Sequence, residues 1–517
     1  MKLNYKRTIL VGFAFFLISA FWQAYDATIP VILTNKFGMS QTWSGVIMAL
    51  DNILAVFMLP LFGALSDKCL TRFGKRTPFI TIGTTIAAIA LVLLSFVDAA
   101  QLQNISAVAT IDDPAALTTI YDTQADTPLQ TPEGEDFILS DIFSREDFSQ
   151  ISCKITNPVT GKQETNPDYT NYVAPARQAY AAQITAKSPT QLILFIVTLL
   201  VILVAMATFR SPAVALMPDV TVKPLRSKAN AIINLMGTAG GILVLVLGIV
   251  FATSAVENAL NRYTVYYAVI AGIMVAALVI FLLTVREKAW SAQMQADSIR
   301  LGIEEEESTD TTQKRSLSKG EKKSLILILL SIALWYFGYN AVTSKYAVYA
   351  TNILAKDYNT TMLLAQAAAI VAYLPAGMIA SKIGRKKTIL AGVVMLSAAF
   401  AVAAFMRSGS STLVMNLMFI LAGIAWATIN VNSFPMVVEM CSGSDIGKYT
   451  GYYYTASMAA QIVTPMLSGF LMDAVAETIL FPYAAIFVAL AFVTMSLVKH
   501  GDAKVAAKQG LEAFDND

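Results

Sequence analysis

The sequence predicts an all-α membrane protein: twelve transmembrane helices in two six-helix bundles, with a long external insert between helices 3 and 4. Three observations predict it. Of 517 residues, 56% are hydrophobic and only 14% charged, whereas soluble domains carry about a quarter charged residues. Twelve apolar runs reach roughly 18 residues or more, the length that crosses a bilayer. The loops between them alternate between rich and poor in Lys and Arg, which is how orientation is encoded. Hydrocarbon offers no partner to backbone N–H and C=O groups, so runs of this length are helices.

In order, the expected spans are 8–33, 42–66, 78–97, 190–216, 228–252, 263–285, 323–350, 361–381, 388–406, 412–437, 449–472 and 478–498. The first is too long for a signal-peptide core and lacks a small-residue cleavage site, so it is read as a retained helix. Lys2, Lys6 and Arg7 precede it. The stretch 68–76 follows the second span, Lys223, Arg226 and Lys228 follow the fourth, and Lys382, Arg385, Lys386 and Lys387 follow the eighth. Positive loops are cytoplasmic, so both termini are expected inside, most simply at the plasma membrane. The expected organisation is an N-terminal bundle over 1–285, a cytoplasmic linker over 286–322, a C-terminal bundle over 323–498 and a cytoplasmic tail over 499–517. The insert, 98–189, is rich in Asp, Glu, Thr and Pro. It is either a small ordered cap or a mobile loop; structureless loops this long are uncommon. The linker, with "EEEESTD" and "QKRSLSKGEKKS", reads as polar and solvated.

The net charge of +2 comes from cations dispersed between spans, so nucleic acid is not an expected partner. Cys69, Cys153 and Cys441 form no spacing pattern, and the single histidine, His500, lies past the last span. No metal site, disulfide framework, nucleotide loop or nucleophile arrangement follows, so neither an enzyme nor a cofactor is expected. The partners expected are lipid and a small solute, with the chain a monomer.

"GALSDKCLTRFGKRTPFI", residues 63–80, packs Asp67, Lys68, Arg72, Lys75 and Arg76 into one turn. An acid at a helix C-terminus faces the negative pole of the dipole and needs a cation. Arg72 or Arg76 can reach back to Asp67, giving a cytoplasmic latch. The second half repeats the outline: "GMIASKIGRKK" follows the eighth span, with Ser381 in place of the acid. After the fourth span Asp219 is set against Arg226, and after the tenth Glu439 against Lys448. Repeated six-span halves are the build of secondary transporters.

Charges inside spans are costly, about 2.5–3.5 kcal/mol each on insertion scales, and ask for a reason. Asp26 shares a helix face with Trp22 and Gln23. An indole beside a carboxylate and an amide suits a sugar, and the acid can carry a proton; the competing reading is an acid hydrogen-bonded to a neighbouring helix. Arg210, in the fourth span, reads equally as the partner of a carboxylate or anionic substrate and as a side chain snorkelling to the interface. Asp51 and Asn52 read as helix-packing polar groups. The seventh span holds Trp335 with Tyr339, and Tyr336 with Asn340, at i, i+4; the tenth holds Trp426 with Asn430. Gln366 and Gln461 are weaker candidates, and Lys345 reads as an interface anchor.

"LPLFGALSDKCLTRFGKRTPFI" (59–80), "SPAVALMPD" (211–219) and "RSKANA" (226–231) carry a resemblance. The chain resembles the major facilitator superfamily, and within it the sucrose-transporter branch related to glycoside–pentoside–hexuronide cation symporters. The resemblance spans nearly all helices and not the 98–189 insert. It implies that spans 1, 4, 7 and 10 line a central cavity, where Asp26, Arg210, Tyr339, Asn340 and Asn430 fall. Plant-type sucrose carriers have an arginine at the place of Val214; here Arg210 sits one turn earlier. Melibiose-type symporters carry cation-site aspartates at the places of Ala55 and Leu59, so a sodium site of that type is not implied. The resulting expectation is import of a sugar, a glucoside or disaccharide, with a proton. One proton moving through about 100 mV releases roughly 2.3 kcal/mol, enough for on the order of fifty-fold accumulation. The alternatives are an exporter or antiporter for a drug, metabolite or organic anion, and a non-transporting receptor.

Overall fold

The structure is a computed structural model and describes residues 3–157, 161, 163–222, 225–300, 317–438, 440 and 446–501. Seventeen α-helices lie in these residues. In chain order they are α1 (Tyr5–Asn35), α2 (Gln41–Asp67), α3 (Thr77–Asn104), α4 (Pro114–Gln124), α5 (Leu139–Ile142), α6 (Arg145–Ser149), α7 (Ala174–Lys187), α8 (Thr190–Val220), α9 (Arg226–Val250), α10 (Thr264–Thr284), α11 (Glu287–Arg300), α12 (Lys319–Asn352), α13 (Tyr358–Ile383), α14 (Arg385–Ala403), α15 (Thr412–Val438), α16 (Ile446–Ala474) and α17 (Leu480–Ser496). Twelve of them, α1–α3, α8–α10 and α12–α17, are long and apolar enough to cross a membrane.

Local sequence starts these helices where polar side chains can satisfy the free N–H groups of the first turn. Asn4 caps α1 through the Arg7 N–H, and Asp357 caps α13 through Asn359 and Thr360. Ser318 and Glu321 form a reciprocal capping box on α12. Prolines interrupt α1, α2, α8, α13, α15 and α16 internally. Such prolines are tolerated in spanning helices because neighbouring helices re-satisfy the freed groups.

Each half has its own apolar core. Phe21, Leu94, Phe195, Phe209 and Phe281 lie at the centre of the N-terminal half. Trp335, Tyr346, Tyr349, Leu396 and Phe481 lie at the centre of the C-terminal half. Large apolar side chains such as Phe57, Leu283, Val371 and Phe405 point outward and stay exposed. That inside-out pattern is the one a lipid-facing surface requires, and the chain is an integral multi-pass membrane protein.

The third spanning helix runs to Asn104, beyond the expected end at 97. The extension carries Asp98, fully buried and matched by Lys36, whose Nζ lies 2.7 Å from both carboxylate oxygens and 2.7 Å from the Asn261 carbonyl. Pairing offsets the burial cost of each ion, so the charge does not end the helix. Between α3 and α8, helices α4–α7 and two short hairpins pack around Ile105, Leu117, Ile120, Phe148 and Val173. The hairpins are β1 (Leu129–Gln130) with β2 (Asp136–Phe137), and β3 (Lys154–Thr156) with β4 (Gln163–Thr165).

The halves are joined at the end that carries this insert. The α2 N-terminus packs so closely on α16 that a Cβ on Gly45 would overlap the Pro465 carbonyl. A Cβ on Gly469 would likewise overlap that of Gln41. Small residues let helix backbones approach in membranes, and only glycine fits here. Lys345, expected as an interface anchor, is instead wholly buried between the halves, its Nζ 2.5 Å from the Gln41 carbonyl. The insert also reaches the C-terminal half: Glu133 pairs with Arg407 at 3.0 Å, and the Pro132 carbonyl accepts from the Glu477 N–H at 3.0 Å.

Candidate functional site: a polar cavity between the halves

A cavity of about 190 Å³ lies between the halves, lined by five helices. α1 contributes Trp22, Tyr25 and Asp26; α2 contributes Met48, Asp51 and Asn52. Asn340, Thr343 and Ser344 come from α12, Gln461 and Pro465 from α16, and Arg210 from α8. The i, i+3, i+4 spacing within α1, α2 and α12 is that of a single helix face.

The cavity's polar groups are incompletely satisfied by the protein. Trp22 Nε1, the Tyr25 hydroxyl and Asn340 Nδ2 are buried and have no hydrogen-bond partner among the described residues. Buried polar groups are normally hydrogen-bonded, so these three are available to a solute. The Arg210 guanidinium lies 5.7 Å from the centre of the Trp22 ring, within cation–π range. Asn52 Nδ2 donates to Asp51 at 2.7 Å. Two carboxylates and one guanidinium thus line one chamber.

The structure brings together Trp22, Asp26, Arg210 and Asn340. It places the other candidates elsewhere. Gln23 is rotated away from Asp26 toward α13, where it accepts from Gln366 Nε2 at 2.6 Å and donates to the Tyr358 hydroxyl at 3.2 Å. Trp335 is 1% exposed and fills the C-terminal core rather than the cavity. Tyr339 and Trp426 stack on one another, ring centres 3.5 Å apart and planes within 3°. Tyr336 meets Trp426 edge-on at 5.3 Å, and the Asn430 side chain is hydrogen-bonded to Tyr373. Asp51 and Asn52, read from sequence as packing groups, face the cavity, as does Gln461. Tyr25, Thr343 and Ser344 were not singled out by sequence; their i, i+3 and i, i+4 spacing from Trp22 and Asn340 is the signal that finds them.

At the other end of the molecule Arg76 joins three helices. Its Nη2 lies 2.5 Å from Asp67, its Nε lies 2.7 Å from Asp219, and its Nη1 donates to Ser66. Arg72 instead lies exposed over the Phe73 ring at 4.7 Å. Asp219 is thus held by Arg76, and the pairing expected between Asp219 and Arg226 falls outside the described residues. The side chains of Arg226 and Lys448, and all of Glu439, lie outside the described residues. Sequence reasoning also missed Glu287. Its carboxylate accepts from the N–H groups of Lys75, Arg76 and Thr77 at 2.6–2.9 Å and caps α3. Arg7 Nη2 donates to Gln293 at 2.7 Å, so the start of the expected linker is a helix, α11, lying against α1.

This is a two-bundle membrane architecture with a polar chamber between its halves. Residues 10–109 match the family described as MFS/sugar transport protein, and residues 325–513 match the Major Facilitator Superfamily. Each match covers less than half of the chain, which is similar to that superfamily and, in its motifs, to its sucrose-transporter branch. The sucrose transport protein SUC3 of Arabidopsis thaliana is 34% identical over 67 residues, 13% of this chain and 11% of that protein. The MFS-type transporter ppzB of Metarhizium rileyi is 27% identical over 158 residues, 30% of this chain and 32% of that protein. The chain thus aligns with no more than about a third of the length of these curated relatives. Among solved structures, the inward open xylose transporter XylE from E. coli superposes with a TM-score of 0.57 at 14% identity, covering 95% of this chain and 96% of that one. A D-xylose-proton symporter superposes with a TM-score of 0.56 at 15% identity, covering 95% and 97%. These two likenesses concern the fold.

Proposed function

We propose that the protein imports a sugar, a glucoside or disaccharide, together with a proton by alternating access, with both termini cytoplasmic and the insert outside the cell. The observation that carries this reading is the set of polar groups in the cavity. Three buried polar groups without partners face two carboxylates, and a polyhydroxylated solute satisfies both kinds at once. The volume of about 190 Å³ is below the roughly 300–1,000 Å³ of drug-sized sites, which favours one sugar ring at the level of Asp26. The sugar-transport match over 10–109 and the sucrose-carrier relatives support the same substrate class.

Coupling follows from charge. Asp26 and Asp51 both ionised against Arg210 leave one negative charge without a counter-ion at membrane depth, which is costly. A proton taken up on Asp26 removes that charge, so binding and protonation favour one another. Arg76, Asp67 and Asp219 then brace the cytoplasmic side, with Glu439 and Lys448 assigned the equivalent role in the second half. Arg210 in the cavity favours a second reading, exchange of an organic anion.

Uptake of a panel of labelled sugars and organic anions into proteoliposomes, with and without a protonophore, tests both. The expected result is sugar accumulation that the protonophore abolishes. Asp26→Asn should lose uphill uptake while sugar exchange persists. Unchanged accumulation by that variant removes Asp26 from the mechanism, and anion-specific exchange replaces the sugar reading.

A further inference from the structure

Arg177, on α7 of the insert, is 4% exposed, yet its guanidinium is poorly matched. Nη1 donates to the Tyr169 hydroxyl, and the group lies 5.5 Å from the Tyr169 ring centre. Nε and Nη2 are buried and have no hydrogen-bond partner among the described residues. An arginine cannot shed its proton to escape burial, and a buried charge without a partner costs several kcal/mol.

Arg177 lines a small, partly open pocket of about 30 Å³. Its polar walls are Asn35 from α1, Thr170 and Gln178 from the insert, and Thr351 and Asn352 from α12. No carboxylate lines it. Three nearby acids are engaged elsewhere: Asp112 accepts from the Cys153 N–H, Glu257 pairs with Lys154, and Glu477 accepts from Gln41 and Asn352. The space exceeds the 10–15 Å³ or so that admits one water, and Nε with Nη2 forms the forked edge that binds anions.

We propose that this cavity is a binding site for a small monovalent inorganic anion of the halide class, held by Nε and Nη2 of Arg177. The anion supplies the missing counter-charge; the Thr170 and Thr351 hydroxyls already donate to backbone carbonyls, so its further donors are the amides of Asn35, Gln178 and Asn352. The site lies where the insert, the end of α1 and the end of α12 meet, so a bound anion ties the insert to both halves. Its existence does not depend on what the central cavity carries.

The test uses the purified full-length chain, its melting temperature followed while sodium gluconate is exchanged for sodium chloride at constant ionic strength. A ligand that binds only the folded state raises stability with concentration. The expected result is a saturable rise with chloride that Arg177→Met eliminates. Equal melting temperatures in both salts for the unmodified protein overturn the proposal, and so does a chloride response that survives in Arg177→Met. Should that variant not fold, anomalous scattering from bromide-soaked crystals of the unmodified chain decides. A bromide peak beside Arg177 Nε supports the site, and peaks only elsewhere refute it.

Discussion

Asp473, near the end of α16, caps Gln41, the first residue of α2, with its carboxylate 2.7 Å from the Gln41 N–H. It also accepts from the Thr42 N–H at 2.7 Å. An acid from one half thus satisfies the helix start of the other, and the same turn receives Lys345 and Glu477. The contact exists only while the halves meet at the insert end, so under the proposed alternating access its removal shifts the balance between the two states. Asp473 is exposed, and a cap of this kind contributes about 1 kcal/mol. Asp473→Ala should therefore raise the population open at the insert end about fivefold. A cysteine placed at Ser344, in a background lacking the three native cysteines, should react faster with a membrane-impermeant thiol reagent added from that side.

Gly45 gives a sharper version of the same experiment. Its Cβ position is already occupied by the Pro465 carbonyl, so Gly45→Val keeps the ends of α2 and α16 apart. Closure is forbidden rather than weakened. The expected outcome is loss of transport with solute binding retained, read as binding of labelled sugar to purified protein alongside absent counterflow.

The twelve spans were legible because a bilayer demands apolar length and little else. The site was legible only in part. Asp26 and Trp22 stand out on a greasy helix, and both line the cavity. Gln23 was grouped with them because i and i+3 share a face, but the face that α1 turns to the cavity centres on Trp22, Tyr25 and Asp26. A helical pattern gives relative positions around an axis, and only packing fixes the axial rotation. Asp51 shows the complementary failure: nothing near it in sequence tells that α2 presents it to Arg210 across the chamber.

Arg76 is 6% exposed and holds two acids, whereas Arg72 lies outside on Phe73. Asp67 is 63% exposed and Asp219 30%, so solvent already screens much of the pair energy. Arg76→Ala should lower stability by about 1–3 kcal/mol, less than the 3–5 typical of a wholly buried pair. Arg72→Ala should stay within about 0.5 kcal/mol. Thermal unfolding of the two variants side by side checks the assignment; equal losses would mean that the latch does not run through Arg76.

Cys153 supplies a pH prediction outside the membrane spans. Burial, reinforced by the hydrogen bond from its Sγ to Asp112 at 3.0 Å, pushes the thiol up to about 12. Only the thiolate is nucleophilic, and below that value the thiol stays protonated. Raising the pH from 7 to 9 should therefore leave Cys153 unlabelled by iodoacetamide in the folded protein, with labelling appearing on unfolding. Asp112→Asn removes the acceptor charge but not the burial, so labelling should begin at a lower pH than in the unmodified protein, as read by peptide mass spectrometry.

Trp335 and Asn340 separate packing from recognition on one helix. They are five residues apart, which turns them about 140° from each other around α12. Trp335 faces the C-terminal core and Asn340 the cavity. Trp335→Phe removes buried ring volume and should cost about 1–3 kcal/mol of stability, with the KM for sugar unchanged. Asn340→Ala removes a donor that the protein leaves unpaired. It should leave the melting temperature nearly intact, because no internal hydrogen bond of that donor is lost. A hydrogen bond to solute contributes about 1 kcal/mol, so its KM should rise roughly fivefold. Uptake kinetics and thermal unfolding on the same two variants check both halves of the argument. A raised KM in Trp335→Phe without one in Asn340→Ala would place recognition on the aromatic face of α12 instead.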